Sequence, residues 1–172
     1  MYIKQLIDED FVNYKKPSMV IGFPYCSMKC DKECGLPVCQ NSTLANSQSI
    51  NVRIPTIVNR YLDNQITKAI VFQGMEPFDS WPDILELVAA FREKTDDDIV
   101  IYTGYKKEEI KDDIEKLRAY KNIIVKFGRF VPNQEPHYDE VLGVKLASDN
   151  QFAERIDDGV SHYTLLKLPI SK

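Results

Sequence analysis

Cysteine is the residue type in this chain whose placement points to chemistry. All four cysteines fall within fourteen positions, as Cys26-Ser-Met-Lys-Cys30-Asp-Lys-Glu-Cys34-Gly-Leu-Pro-Val-Cys39. Cysteines that serve packing are scattered along a chain. Four in one short loop, with none elsewhere to pair with, point to a metal or iron–sulfur site. Four thiolates satisfy tetrahedral zinc, which is the blander of two readings. Structural zinc sites, however, commonly use two close pairs held apart by a longer segment. Here gaps of three, three and four residues run through one loop. The two histidines, His137 and His162, lie far away in sequence and read as surface or core residues rather than ligands. The sharper reading is an iron–sulfur cluster, for which thiolates are the natural soft ligands. If three cysteines hold a four-iron cluster, the fourth iron stays open to a substrate. That open position turns an electron carrier into a catalyst.

Something must hold such a loop in place, and the rest of the chain supplies it. The 172 residues fit one domain, 1–172, able to bury a core without cross-links. The hydrophobic fraction of 44% and charged fraction of 28% are ordinary for a globular protein. A net charge of −4 argues against nucleic acid as a partner, because phosphate binding needs concentrated Lys and Arg. The lysines between Lys106 and Lys121 alternate with Glu and Asp and read as a solvated helix face. The opening MYIKQLIDEDF lacks the apolar run of a signal peptide. No stretch approaches the roughly 18 apolar residues of a membrane span. A cytoplasmic, reducing location is therefore expected, where clustered thiols stay free to bind metal.

Apolar runs and helical spacings alternate along the chain. Ser18–Phe23 reads as a buried strand leading straight into the cysteine loop. Residues 52–63 read as a helix on Ile54, Ile57, Val58, Tyr61 and Leu62, with Pro55 in its first turn. Ala69–Phe72 is a second strand, ending in Gln73-Gly-Met-Glu-Pro77. Ser80 is placed to cap a helix, with Asp83 close to a capping box and Ile84, Leu85, Val88 and Phe91 on one face. Asp98–Tyr102 is a third strand, followed by a helix on Ile110, Ile114 and Leu117. Asn122–Lys126 is a fourth strand, ending near Gly128-Arg129. Val141–Ala147 and Tyr163–Leu168 are candidates for two more, and residues 149–157 fit no single pattern. Strands alternating with helices imply a parallel sheet with right-handed crossovers. The distinctive residues collect just after strand ends, the edge where α/β proteins place their sites.

With these elements in place, Cys-x3-Cys followed shortly by a third cysteine, after the first strand of an α/β chain, resembles the signature loop of radical S-adenosylmethionine (SAM) enzymes. The usual third gap in that loop is two residues; here Cys34 follows after three and Cys39 after eight. Cys39-Gln40-Asn41 is similar to the Cys-x-Asn that ends the loop in activating enzymes of glycyl radical proteins. The resemblance therefore implies Cys26, Cys30 and Cys39 as ligands, with Cys34 in an insertion, and Cys34 as the alternative third ligand. Gly74-Met-Glu-Pro77 resembles the family's Gly-Gly-Glu-Pro motif, with Met75 replacing the second glycine. Tyr102-Thr-Gly-Tyr105 resembles an element of anaerobic ribonucleotide reductase activating enzymes. Phe127-Gly-Arg-Phe130 resembles their Asp-Gly-Arg-Phe, with Phe127 in place of the acid. Leu146-Ala-Ser-Asp-Asn-Gln151 resembles their Gly-Ser-x-Asn-Gln. Asp10-Phe-Val-Asn13 resembles their opening segment, without the Gly-x-Gly-x-Arg that commonly follows. The likeness runs in order from about residue 10 to about residue 155.

What the resemblance implies is specific. The fold would be a partial (β/α)6 radical SAM barrel with a curved, mostly parallel sheet. The cofactors would be a [4Fe–4S] cluster with three Cys ligands and one open iron, and SAM. Gly74, Met75 and Glu76 would hold the methionine amino group of SAM. Arg129 would pair with its carboxylate, and Asn41, Thr103 and Asn150 would add polar contacts. The activity would be reductive cleavage of SAM to place a glycyl radical on a partner, the large subunit of an anaerobic ribonucleotide reductase, with flavodoxin or ferredoxin as electron donor. An activase of pyruvate formate-lyase type is the nearest rival. A non-catalytic zinc or iron–sulfur module is the rival of a different class.

Overall fold

The computed structural model describes residues 1–156. The expected strand Tyr163–Leu168 and His162 lie outside the described residues.

The elements, in chain order, are β1 (Tyr2–Ile3), β2 (Gln5–Asp10), β3 (Ser18–Phe23), α1 (Lys29–Cys34), α2 (Ser42–Ala45), β4 (Ile50–Asn51), α3 (Ile54–Asp63) and β5 (Ala69–Gly74). Then come α4 (Trp81–Arg92), β6 (Asp98–Tyr102), α5 (Lys111–Leu117), β7 (Ile123–Phe127), β8 (His137–Asp139), β9 (Val144–Leu146) and β10 (Phe152–Arg155). Short 3-10 turns at Pro77–Ser80 and Lys107–Ile110 lead into α4 and α5.

Among the described residues, six strands form the central sheet in the order β10-β7-β6-β5-β3-β2. The inner four, β3, β5, β6 and β7, run parallel. Both edges are antiparallel, β2 on β3 and β10 on β7. The expectation of a mixed α/β chain with a mostly parallel sheet holds. Among the described residues, however, the parallel run has four strands, short of the six of the expected (β/α)6 pattern. β10 returns against β7, so the last edge is antiparallel.

Alternation along each strand sorts the core into two faces. Met19, Ile21 and Phe23 of β3, with Ile70, Phe72, Ile99, Ile101, Ile123 and Val125, join one apolar cluster with the helices. In that cluster α3 contributes Ile57, Val58 and Tyr61, α4 contributes Ile84, Leu87, Val88 and Phe91, and α5 contributes Ile114 and Leu117. Consecutive right-handed crossovers in one direction across a sheet place their helices on the same side, and that is the arrangement here. The opposite face carries Val20, Val71, Val100 and Ile124 and is covered by Tyr14, Leu142 and Leu146, all from irregular segments or the small β8–β9 ladder.

Three local expectations are corrected. In α4 it is Leu87, not Leu85, that is fully buried beside Ile84, Val88 and Phe91, and in α3 Leu62 is exposed. Ser80 stands at the start of α4 but makes no capping bond, and its buried hydroxyl has no partner. The chain instead enters through the 3-10 turn, where Glu76 accepts a hydrogen bond from the Phe78 N–H at 3.1 Å. The expected strand Val141–Ala147 shortens to β9, which pairs with β8 rather than joining the central sheet. Asp139 accounts for this: its carboxylate accepts from Leu142 N at 2.8 Å and turns the chain before β9 begins.

Candidate metal centre

The C-terminal ends of β3, β5, β6 and β7 share one edge, and the loops that leave them meet there. Cys26 follows β3 directly. Met28, in the left-handed region at φ 55°, then turns the chain into α1, which carries Cys30 and ends at Cys34. Gly35, at φ 66°, closes the helix. Asp31 folds the remaining loop back, because its Oδ1 accepts from the N–H groups of both Val38 and Cys39 at 2.9 Å. That return brings Cys39 to Cys26 and Cys30. The three thiols line one pocket of about 260 Å³, which Cys34 does not line. Among the described residues no three Cys, His, Asp or Glu side chains are close enough to hold a single metal ion. A four-iron cubane spaces its ligands more widely than one ion does, and three thiols around a shared pocket fit that requirement.

In the cluster-free protein, burial keeps the thiols of Cys26 and Cys30 protonated. Burial pushes Cys26 up to about 11, opposed by a hydrogen bond from Met28 N–H and reinforced by the negative charges of Glu76 and Asp79. Burial also raises Cys30. Iron binding therefore has to displace these protons, as metal binding to thiols generally does.

The loop after β5 is tied to the cysteine loop through its backbone. Met75 N–H donates to Phe23 O at 3.2 Å and Glu76 N–H to Tyr25 O at 2.7 Å. Asn41 Nδ2 donates to Gly74 O at 2.6 Å. Gly74 sits at φ +100°, and a Cβ there would lie 2.7 Å from Phe23 N, so only glycine allows this approach. Glu76 is 5% exposed. Its Oε1 accepts from Thr103 Oγ1 at 2.7 Å and from Phe78 N–H, and its Oε2 accepts from Gly104 N–H at 2.8 Å. Burial nevertheless carries its carboxyl up to about 7, outweighing those three bonds. Of the residues expected to bind cofactor, Asn41, Gly74, Met75, Glu76 and Thr103 all line the pocket.

Arg129 and Asn150 do not line that pocket; Arg129 instead lines a small cavity beside it, together with Cys26, Cys30 and Glu76. Arg129 is 3% exposed and its guanidinium is engaged elsewhere. Nη1 and Nη2 form a bidentate pair with Glu109 at 2.8 and 2.7 Å. Nε lies 3.3 Å from Glu33 Oε1 without hydrogen-bond geometry, so the contact is ionic only. Glu109 also meets Lys29 at 3.4 Å. Since Lys29 and Glu33 both belong to α1, Arg129 and Glu109 act as a strut under the cysteine-bearing helix. Asp79 braces its start, accepting from Ser27 N–H at 2.5 Å and Tyr105 Oη at 2.6 Å. Asn150 is exposed and donates to Arg129 O at 2.9 Å, fastening the segment after β9 to that after β7.

Two buried polar side chains of the pocket, Gln151 and Lys126, carry no assigned role in the sequence reading. Gln151 is buried, accepts from Ala147 and Ser148 N–H at 3.1 and 3.2 Å, and donates to Gly128 O at 3.3 Å. Lys126 is 6% exposed at the end of β7, on the face away from the helices, with burial lowering it to about 8. The signal for Lys126 was available: a lone charge closing the apolar run Ile123-Ile-Val-Lys126. His137 lies on β8 and does not line the pocket.

No described helix is long and apolar enough to cross a membrane. A family model described as a 4Fe-4S single cluster domain matches residues 19–151, a span that holds all four cysteines and every pocket loop described above. No curated protein and no solved structure matches the chain. The family match covers most of the chain, and with the thiols gathered at one sheet edge it makes this protein a member of the 4Fe-4S single cluster domain family.

Proposed function

We propose that this chain is a radical SAM activase that generates a glycyl radical on a protein partner, with an anaerobic ribonucleotide reductase as the expected partner. One observation carries the reading: three of the four cysteines share a pocket with Glu76, Thr103 and Asn41, the residues that the resemblance assigns to SAM. Cys26, Cys30 and Cys39 would hold the [4Fe–4S] cluster. When bound, the cluster supplies the electron that splits the sulfonium carbon–sulfur bond of SAM into methionine and a 5′-deoxyadenosyl radical.

The protein's own residues supply binding and seclusion. Glu76 offers a carboxylate to the cationic amino group of SAM, held in place by its three donors. Thr103 and Gly104 fix the orientation of that carboxylate. Asn41 closes the cysteine loop over Gly74 and so sets the mouth of the pocket. The rim includes Val12, 72% exposed, beside Phe11, 64% exposed. An apolar rim at the mouth suits the docking of a protein segment better than that of a small polar substrate.

Anaerobic reconstitution with iron and sulfide tests the reading. A brown protein whose reduced EPR signal shifts on adding SAM, and which releases 5′-deoxyadenosine, is the expected result. A colourless protein with one stoichiometric zinc would sink it. Separate Cys34→Ala and Cys39→Ala variants test the ligand set. The first is expected to keep the cluster and the second to lose it; the reverse pattern overturns the assignment.

A further inference from the structure

Two buried charges of opposite sign face the same pocket without forming an ion pair. Glu76 follows the end of β5, and Lys126 is the penultimate residue of β7. β6 lies between them, which separates their backbones by roughly 10 Å, two strand spacings. Lys126 Nζ has one hydrogen bond, to Gly128 O at 2.8 Å. Glu76 acts on it through its charge, yet is not paired with it. An ammonium has three donors, so two remain. On the other side, Glu76 Oε2 carries a single donor, Gly104 N–H, and retains acceptor capacity. A buried charge without a partner is costly. A cation and an anion held apart in one pocket form the complement of a zwitterion. Of the other cations near this edge, Arg129 is already matched in bidentate fashion by Glu109, and Lys145, which also lines the pocket, is exposed to solvent.

We propose that Lys126 binds the carboxylate of the SAM methionine head group while Glu76 takes its ammonium, so that the pair selects an α-amino-acid zwitterion. The assignment rests on the SAM reading above and names the residue that replaces Arg129 within it. Lys126 is then a specificity residue: it distinguishes SAM from sulfonium ligands that lack the carboxylate.

The test measures anaerobic equilibrium binding of SAM and of decarboxylated SAM to the reconstituted protein, and to its Lys126→Met and Lys126→Gln variants. The wild type is expected to prefer SAM. In either variant that preference should fall by about 10–100-fold, the scale of one charge-assisted hydrogen bond, with binding of decarboxylated SAM little changed. A general electrostatic role would weaken both ligands equally and leave the preference intact, and that result overturns the proposal. Loss of the cluster in both variants would assign Lys126 to cluster retention and overturn it as well. A wild-type protein that binds neither ligand refutes the SAM reading itself, whereas one that binds both equally refutes only the role of Lys126.

Discussion

Two acid–base pairs flank the cysteines, and they are built in opposite ways. Arg129 and Glu109 are closed on each other through two short hydrogen bonds, with Glu33 and Lys29 completing a strut between α1 and the loops after β6 and β7. Glu76 and Lys126 face one pocket and stay apart. The residue types are nearly the same; what differs is whether the partner is supplied by the fold. Within the closed pair, the Arg129 guanidinium holds the Glu109 carboxyl down to about 2. Within the open one, burial carries Glu76 up to about 7. The fold neutralises the charges that hold the cysteine helix and keeps apart the charges that face the pocket.

Predictions that break this contrast run from large to small. Glu76→Ala removes the acceptor from three donors at once, Thr103 Oγ1 and the N–H groups of Phe78 and Gly104. At about 1 kcal/mol or more for each orphaned donor, it should destabilise the protein by about 3 kcal/mol in urea unfolding. A change below about 1 kcal/mol would mean that the pocket is wet enough to satisfy those donors.

The two carboxylates should also oppose each other in pH dependence. Between about 4.5 and about 7 the folded protein still holds the Glu76 proton that the unfolded chain has released, so stability falls as pH rises through that window. The expected loss is about 3 kcal/mol. Glu109 is held low by Arg129, so its contribution is present above about 4.5 and is lost as pH falls toward about 2. Urea midpoints of the cluster-free protein across this range should flatten in the upper window for Glu76→Gln and in the lower one for Glu109→Gln. Identical profiles in the two variants would erase the distinction drawn between the pairs.

Glu109→Ala strips Arg129 of its bidentate partner while Arg129 stays buried. About 2 kcal/mol of stability should go, less than for a fully buried pair because the Glu109 side chain is 32% exposed. The cluster should still assemble in this variant, but with a loosened α1, read as faster hydrogen exchange at Lys29–Cys34. Glu33→Ala touches the same strut at a site 49% exposed and should cost under about 0.5 kcal/mol. A larger cost would show that Arg129 leans on Glu33 more than the geometry of its Nε allows.

Some of this architecture was readable from the chain. The inner strands are buried on both faces and so appear as continuous apolar runs, such as Ser18–Phe23 and Ala69–Phe72. Helices α3, α4 and α5 announce themselves by apolar spacing. Capping was misread because a serine before a helix is a good cap only when its hydroxyl can reach the next turn; at Ser80 the 3-10 turn and Glu76 had already taken that role. The strand expected at Val141–Ala147 carries the right residue types, but strand pairing is a tertiary choice, and β10 occupies the edge beside β7.

By itself the sequence determined where the thiols lie, the order of strands and helices, and the loops that follow the strand ends. Each depends on residue type and near-neighbour spacing. Only the tertiary structure decided which charges are free. Arg129 and Glu109 are twenty positions apart and meet because the loops after β6 and β7 converge, which removes Arg129 from the pocket. Lys126 faces the pocket because side chains alternate along β7, placing it opposite Val125 and Phe127 and on the face that no described helix covers. Charge is a property of the residue, but whether that charge is satisfied depends on neighbours that the chain brings together only on folding.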